Sequence, residues 1–200
     1  MITLSKKEFR QLVKNEFTKF SIDYLKINSE KICRKLIDFL QINKYQYSNN
    51  IITYMPIKYE VDVSLFNKYI LNSAEYKLLV PKIIDAQKFE VFEINKYTKY
   101  KTNKYGILEP SDVLIENKEY KDIELRKKII IICPGLAFDL SGNRLGRGAG
   151  YYDNFFESNN AERFYKIGVC FDFMLFDALP SNLRDVKMDC IIMSEKIINI

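Results

Sequence analysis

A chain of 200 residues with 48% hydrophobic side chains can build one sizeable core, which excludes intrinsic disorder. The formal net charge is +5, and residues 1–50 carry the excess, with ten basic and five acidic side chains; the other 150 residues balance at 21 each. This mild bias lacks the basic stripe of nucleic-acid-binding proteins. No apolar run reaches the length of a membrane helix, and the N-terminus has no signal-peptide core, so we expect a cytoplasmic protein.

The absence of histidine and the spacing of the cysteines restrict the possible chemistry. The sequence contains no histidine, and its four cysteines form no C-x-x-C pair. A zinc site and the usual Ser-His-Asp or Cys-His catalytic sets are therefore excluded. Acid–base chemistry must come from carboxylates, lysines, tyrosines or the substrate.

The N-terminal segment predicts two amphipathic helices. Ser5 and Glu8 form a capping box, and apolar residues at helical spacing extend the first helix from Lys6 to about Thr18. Lys6 and Arg10 lie four residues apart, so they share a polar face that is either solvated or bound to an anion. A second apolar periodicity predicts a helix that begins near Ser29.

The middle of the chain alternates short strands and one helix. Strands are predicted over 50–55, 78–81 and 89–94, the last half exposed. A polar turn leads into a helix expected to bury Leu65, Phe66, Tyr69 and Ile70. Residues 96–104 are predicted as a polar loop, and 113–128 as a charged, partly exposed segment.

An apolar run and a glycine-rich stretch dominate the C-terminal third. Residues 129–133 are four isoleucines and a cysteine, which is typical of a buried central strand, and 134–153 contain five of the seven glycines. Backbone amides of such a loop, the start of a helix predicted from about Gly150 to Phe156, and two arginines would together form an anion cradle. The simpler interpretation is a glycine-rich surface loop closed by a helix. Neither a Walker loop nor a Rossmann fingerprint has this spacing.

Further strands are predicted over 165–170 and 189–193, with Leu179 and Pro180 in a loop between them. Strands separated by helices predict an α/β domain with a largely parallel sheet. No internal repeat or linker is visible, so we expect residues 1–200 to form a single domain.

The glycine-rich stretch carries a family resemblance. Residues 143–153, preceded by 134–139, resemble the signature of 5-formyltetrahydrofolate cyclo-ligases, also called 5,10-methenyltetrahydrofolate synthetases. Weaker matches at Lys6, Arg10, Met55, Glu60, 105–110 and Asp189 extend the resemblance over nearly the whole chain. It implies a three-layer α/β/α fold of the kind shared with ribose-5-phosphate isomerase and CoA-transferase-like proteins.

The resemblance also implies an activity and a set of site residues. The reaction converts 5-formyltetrahydrofolate and MgATP to 5,10-methenyltetrahydrofolate, ADP and phosphate, through phosphorylation of the formyl oxygen. Arg147 and Tyr152 would be catalytic. The ATP-binding residues would be Lys6, Arg10, Arg144, Leu145, Gly146, Arg147, Gly148, Ala149, Gly150, Tyr151, Tyr152 and Asp153. Folate would contact Met55, Glu60, Arg147, Gly148, Gly150, Tyr151 and Tyr152, and Mg²⁺ would be held by Asp153 and Asp189.

Several points stay open at this stage. Ala149 stands where some relatives have lysine, which leaves the neutralisation of the γ-phosphate uncertain. The alternatives are a sugar-phosphate isomerase or hydrolase on the same fold, which would need no ATP, and a non-catalytic folate-binding relative. We expect small-molecule partners only, no nucleic acid or membrane, and a monomer.

Overall fold

The computed structural model describes residues 4–111 and 127–200, so most of the charged segment predicted over 113–128 lies outside the described residues. Within these ranges the α-helices are α1 Lys6–Phe17, α2 Ile22–Ile42, α3 Ser64–Asn72 and α4 Tyr151–Asn159. The strands are β1 Asn50–Ile52, β2 Lys77–Asp85, β3 Lys88–Ile94, β4 Tyr100–Thr102, β5 Leu108–Pro110, β6 Ile129–Cys133, β7 Ala137–Asp139, β8 Arg144–Leu145, β9 Phe164–Val169, β10 Leu175–Phe176, β11 Cys190–Ile192 and β12 Ile197–Asn199. A search of the same ranges finds no helix with the length and apolarity needed to cross a bilayer.

Seven of these strands form the main sheet, in the order β12-β11-β9-β6-β1-β2-β3. The five strands from β11 to β2 run parallel, and antiparallel strands cover both edges. The isoleucine-rich strand β6 lies in the middle and is buried on both faces. The predicted central strand and the largely parallel sheet are therefore confirmed.

Helices cover both faces of the sheet. Phe164 and Tyr165 are consecutive on β9, so their side chains point to opposite faces. Phe164 contacts Phe156 of α4, with ring centroids 5.7 Å apart, whereas Tyr165 stacks on Phe39 of α2, also at 5.7 Å. Because α3 packs beside α2, the layers are α2 and α3, the sheet, and α4. The predicted three-layer α/β/α architecture is confirmed.

The starts of α1 and α2 follow from local capping residues. The capping box of α1 is present, with Glu8 Oε2 accepting from the Ser5 amide at 2.7 Å. Helix α2 begins at Ile22, not near Ser29, because Ser21 caps it by accepting a hydrogen bond from the Tyr24 amide at 3.1 Å. The expected burial of Leu65 is wrong: its side chain is exposed on α3, while Phe66 and Ile70 face the core.

Strand bounds differ from the predictions in both directions: β1 ends at Ile52, not at residue 55, and β2 is longer than predicted. Strand β2 continues through Pro81 to Asp85, because β3 pairs with it antiparallel along its length. The pairing of β2 with β1 ends at Leu79, before Pro81. Pro81 therefore has no β1 neighbour on that side, and its missing amide hydrogen is tolerated there. The pairing with β2 buries β3 more than the expected half. The predicted polar loop contains β4, which pairs with β5, and the glycine-rich stretch contains β7 and β8, which form a small sheet with β10.

Candidate active site

A cavity of about 370 Å³ opens at the carboxyl ends of β1 and β6. Its walls include Tyr54 and Met55, which follow β1, and Pro134 and Gly135, which follow β6. Ligands of parallel α/β sheets bind at this edge, because the loops that leave the strands meet there. Predicted site residues that line the cavity are Lys6, Arg10, Met55, Glu60, Arg144, Leu145, Gly146, Arg147, Gly148, Ala149, Gly150, Tyr151, Tyr152 and Asp153.

The glycine loop, residues 146–150, joins β8 to α4 along one wall. Gly148 and Gly150 have φ values of 108° and 73°, a region that L-residues rarely adopt. A Cβ atom on Gly148 would also lie 3.3 Å from Cζ of Arg10. Gly150 is the N-cap of α4 and has no side chain to cover the first amides of the helix. The loop therefore needs glycine both for its backbone shape and for the close approach of an arginine.

Helix α1 brings both of its predicted phosphate-binding residues to this cavity. Arg10 Nε donates to the carbonyl oxygen of Gly146 at 2.9 Å, which holds the glycine loop against α1. Lys6 Nζ lies 2.6 Å from Oδ2 of Asp185. The four-residue spacing thus places both cations on one helix face and along one wall.

Arg144 is buried beneath the glycine loop, with its side chain only 6% exposed. Its guanidinium donates to the Pro134 carbonyl at 3.2 Å and lies 3.5 Å from Asp153 Oδ1. The group also lies over the Tyr152 ring, 5.0 Å from the centroid, in a cation–π contact. Its buried Nε has no hydrogen-bond partner within the described ranges, which leaves one donor for a ligand or a water molecule.

Glu60 is held by a turn that follows β1. The hydroxyl of Tyr54 donates to the Val61 carbonyl at 2.7 Å, and the Ile57 amide donates to Glu60 Oε2 at 3.2 Å. Tyr59, with φ 70°, gives the turn its sharp bend, and its ring packs edge-on against Phe17 of α1. These contacts direct the Glu60 carboxylate into the cavity wall.

Arg147 forms an ion pair with Glu60 across the cavity. Arg147 Nε lies 3.0 Å from Glu60 Oε1, and Nη2 donates to the Lys58 carbonyl. Burial raises the pKa of Glu60, and the nearby Arg147 charge partly opposes that rise. The expected phosphate-binding arginine and the expected folate-binding carboxylate are therefore ion-paired with each other.

Two tyrosines of α4 complete the wall on the helix side. Tyr152 lies under Arg144 and packs edge-on against Phe89, with ring centroids 5.2 Å apart. Burial raises the pKa of Tyr152 well above its ordinary value, so the phenol is neutral at physiological pH and can donate a hydrogen bond. Burial likewise raises the pKa of Tyr151, which lies beside Tyr105. Met55 is half-buried in the opposite wall, and Ala149 is exposed.

The two expected magnesium ligands lie in different surroundings. Asp153, in the first turn of α4, lines the cavity, and its side chain is 30% exposed. Asp189 is not among the lining residues: its Oδ2 accepts from the Lys166 amide and lies 2.7 Å from Lys166 Nζ. Asp189 therefore lies outside the cavity lining, and Lys166 neutralises its carboxylate, so its metal role rests on the resemblance alone. Among residues 4–111 and 127–200, no three acidic, cysteine or histidine side chains cluster as metal ligands.

Sequence reasoning missed part of the lining. Glu109 is buried there and accepts from the Ile83 amide and Asn103 Nδ2, both at 2.8 Å, so it fastens β5 to β2. It belongs to the segment 105–110 that carried the resemblance, which could have identified it. Asp185 had no comparable signal, because its partner Lys6 is 179 residues away in sequence. Further lining residues that were not predicted are Tyr54, Ile57, Pro81, Ile83, Phe89, Ile107, Pro134 and Gly135.

A glycine loop, the buried Arg144 and a helix start at the carboxyl edge of a parallel sheet are typical of the class of α/β proteins that bind phosphorylated ligands. The model of the 5-formyltetrahydrofolate cyclo-ligase family matches residues 2–194. The chain therefore belongs to this family, as the sequence predicted.

Individual relatives match this chain over nearly their full length. A probable 5-formyltetrahydrofolate cyclo-ligase from Schizosaccharomyces pombe is 26% identical over 209 residues, covering 98% of each chain. The solved structure of a 5,10-methenyltetrahydrofolate synthetase from Aquifex aeolicus is 27% identical and superposes with a TM-score of 0.77, over 97% of this chain and 92% of that one. A synthetase of the same name from Mycoplasma pneumoniae, 23% identical with a TM-score of 0.71 over 96% and 100% of the two chains, shares the fold.

Proposed function

We propose that this protein is an ATP-dependent ligase that converts 5-formyltetrahydrofolate to 5,10-methenyltetrahydrofolate, with release of ADP and phosphate. The observation that carries the proposal is the Arg147–Glu60 pair. A guanidinium suited to a phosphoryl group and a buried carboxylate suited to ring N–H donors meet in one cavity, with ion-paired atoms 3.0 Å apart. Membership of the family supports the same reaction.

The reaction requires activation of an amide-like formyl group. The formyl oxygen attacks the γ-phosphorus of ATP, the bond to ADP breaks, and the formyl group, still bonded to N5, becomes an iminium phosphate. The substrate's N10 then attacks the activated carbon and loses its proton, and phosphate leaves with the former formyl oxygen. No covalent bond to the protein is needed, so the protein contributes position and charge stabilisation.

Each catalytic group has a physical role in this scheme. Arg147 leaves Glu60 and stabilises the charge on the transferring phosphoryl group, while Glu60 accepts hydrogen bonds from the folate ring. Tyr152 remains neutral because it is buried, and it donates a hydrogen bond to the reacting oxygens. Lys6, Arg10, Arg144 and the glycine loop hold the triphosphate. Met55 supplies apolar contact to the folate.

Magnesium enters this scheme as part of MgATP. Proteins commonly bind Mg²⁺ through one or two carboxylates together with substrate phosphates. Asp153 fits that role, since it lines the cavity at the start of α4, among the residues expected to contact phosphate. Ala149 contributes no charge, so Arg147 and the helix start carry the γ-phosphate interaction.

The test is a turnover assay with 5-formyltetrahydrofolate, with and without MgATP. The proposal predicts methenyltetrahydrofolate and ADP in equal amounts, and only when both substrates are present. Product without nucleotide, or none with both substrates, would contradict it. Thermal stabilisation by formyl-folate alone, without turnover, would instead favour a non-catalytic folate-binding protein.

We further propose that residues 1–200 act as a single domain and as a monomer whose partners are these small molecules. Analytical ultracentrifugation tests the monomer. The cytoplasmic location expected from the sequence stays a prediction.

A further inference from the structure

Residues 53–63 connect β1 to α3 and carry Glu60, the carboxylate proposed to contact the folate ring. We call these residues the Glu60 segment. The Glu60 side chain is 8% exposed, and both Glu60 Oε1 and the Lys58 carbonyl of the segment accept from Arg147. The position of the segment therefore decides where the carboxylate lies, and side chains of two helices help to hold that position.

The start of the segment is fixed by a buried hydrogen-bond network with α3. Asn67 Nδ2 donates to the Tyr54 carbonyl at 3.1 Å, and Asn67 Oδ1 accepts from Thr53 Oγ1 at 2.8 Å. Thr53, Tyr54 and Asn67 are all buried. Because polar groups in such surroundings are costly to leave unpaired, the network favours a single arrangement of the backbone.

The end of the segment is fixed by Tyr54 and by α2. The Tyr54 hydroxyl donates to the Val61 carbonyl at 2.7 Å, which ties the end of the segment back to its start. Ser29 Oγ accepts from the Asp62 amide at 3.1 Å, and Cys33 Sγ donates to the Asp62 carbonyl at 3.4 Å. Ser29 and Cys33 lie on the buried face of α2. The carboxylate is thus held between two anchored ends.

We propose that Ser29 and Tyr54 are positioning residues for the folate substrate and act through Glu60. A segment that is anchored at both ends before the ligand arrives loses less conformational entropy on binding. Without these anchors the carboxylate would sample other positions, and fewer molecules would present it to the ring N–H groups of the substrate. The inference rests on the proposed function, because it concerns the binding of formyl-folate.

Two other roles for these residues make different predictions. Tyr54 lines the cavity and could contact the ligand directly, whereas within the described ranges Ser29 is not part of the lining. An effect of Ser29 on folate affinity would therefore have to pass through the segment. A purely structural role of either residue would lower Tm and leave the Kd of the folded protein unchanged.

The experiment measures the Kd for 5-formyltetrahydrofolate by calorimetric titration of the full chain, together with steady-state kinetics and Tm. Ser29→Ala and Tyr54→Phe each remove one hydrogen bond to the segment, and phenylalanine keeps the ring. We expect each variant to raise the Kd about three- to tenfold, the range for one lost hydrogen bond. The KM for formyl-folate should rise more than kcat falls, because Glu60 holds the ring both before and during the reaction.

Double variants and a matched control test the route of the effect. Combined with Glu60→Ala, neither Ser29→Ala nor Tyr54→Phe should weaken binding further, because the group through which they act is absent. Tyr76→Phe is the control, since it also removes a hydroxyl that donates to a backbone carbonyl, that of Leu40 at 3.4 Å, away from the cavity lining. Its Kd should equal that of the wild type.

Wild-type affinity in Ser29→Ala or in Tyr54→Phe would overturn the role of that residue, and equal weakening in Tyr76→Phe would overturn both roles. Additive effects in the double variants would overturn the action through Glu60. If one variant fails to fold, the other decides. A wild-type protein that does not bind formyl-folate would overturn the proposed function as well, whereas normal wild-type binding with insensitive variants would overturn only the positioning roles.

Discussion

Replacing Arg147 with alanine tests the central step of the proposed reaction. The guanidinium has two acceptors, Glu60 Oε1 at 3.0 Å and the Lys58 carbonyl. These contacts use two of its five N–H donors, and under the proposed function the group turns from Glu60 to the transferring phosphoryl group. Its main contribution therefore belongs to the transition state, and its loss should reduce kcat more than it weakens binding.

The expected magnitudes differ for turnover and stability. Loss of one preorganised charge-stabilising group typically reduces kcat about a hundredfold, which corresponds to about 2.7 kcal/mol at 1.36 kcal/mol per factor of ten. The stability effect should be smaller, because the Arg147 side chain is 38% exposed and solvent screens the pair. We expect about 1 kcal/mol, or a fall in Tm of about 2–4 °C for a chain of this size.

The assay measures kcat under saturating MgATP and formyl-folate, together with Tm. Arg147→Lys should recover only part of the rate, since an ammonium cannot reproduce the two-pronged geometry of a guanidinium. Arg34→Ala, an exposed arginine of α2, is the matched control and should leave kcat unchanged. Near-normal turnover in Arg147→Ala would remove Arg147 from the catalytic set. A fall in Tm far beyond the expected range would make its role structural.

Three further predictions concern Glu60, the acidic partner of this arginine, and the glycine loop that carries it. Glu60→Gln should weaken formyl-folate binding by about 1–3 kcal/mol in calorimetry, because a charged acceptor is lost; intact folate binding would contradict the role of Glu60. Burial raises the native pKa of Glu60 above its ordinary 4.5, so the native state binds the proton more tightly than the unfolded chain. The contribution of Glu60 to stability should therefore fall as the pH rises from about 4.5 to the native pKa, and the difference between the wild type and Glu60→Gln in urea unfolding across that range should show it. Gly148→Ala should cost about 1–2 kcal/mol of stability, because φ is 108°, and should raise the KM for ATP, because the new Cβ would lie 3.3 Å from Cζ of Arg10. Gly106→Ala is its control, with φ 78° and nothing within 4 Å, and an equal KM effect in both variants would contradict the crowding of Arg10.

The parts of the fold that could be predicted from the sequence depend on neighbouring residues. The capping box of Ser5 and Glu8 fixes the start of α1 through hydrogen bonds within one helical turn. Strand β6 was recognisable because a run of four isoleucines followed by cysteine is stable only when buried on both faces. The predicted start of α2, near Ser29, lies too far along the chain because it depends on apolar periodicity alone. The Ser21 cap places the start at Ile22.

The parts that could not be predicted depend on residues far apart in sequence. Strand β2 extends through Pro81 because β3 pairs with it, and no local preference of that segment reveals the partner. Within the site, the glycine loop was visible, but the ion pairs of Arg147 with Glu60 and of Lys6 with Asp185 join residues 87 and 179 positions apart. The glycines on either side of Arg147 offer it no side-chain partner, and its partner comes instead from the turn after β1.

These ion pairs determine how the cavity can bind an anion. Among the described residues, its lining carries four cations, Lys6, Arg10, Arg144 and Arg147, and four acidic side chains, Glu60, Glu109, Asp153 and Asp185. The formal charges cancel, so a bound anion competes with these carboxylates for the same cations. When Arg147 turns to a phosphoryl oxygen, Glu60 is left buried and needs a donor, because an unpaired buried carboxylate is strongly unfavourable. A folate ring that offers N–H groups supplies that donor. Under the proposed function, the cost of leaving Glu60 unpaired therefore couples the two substrates, and each should bind more tightly when the other is present.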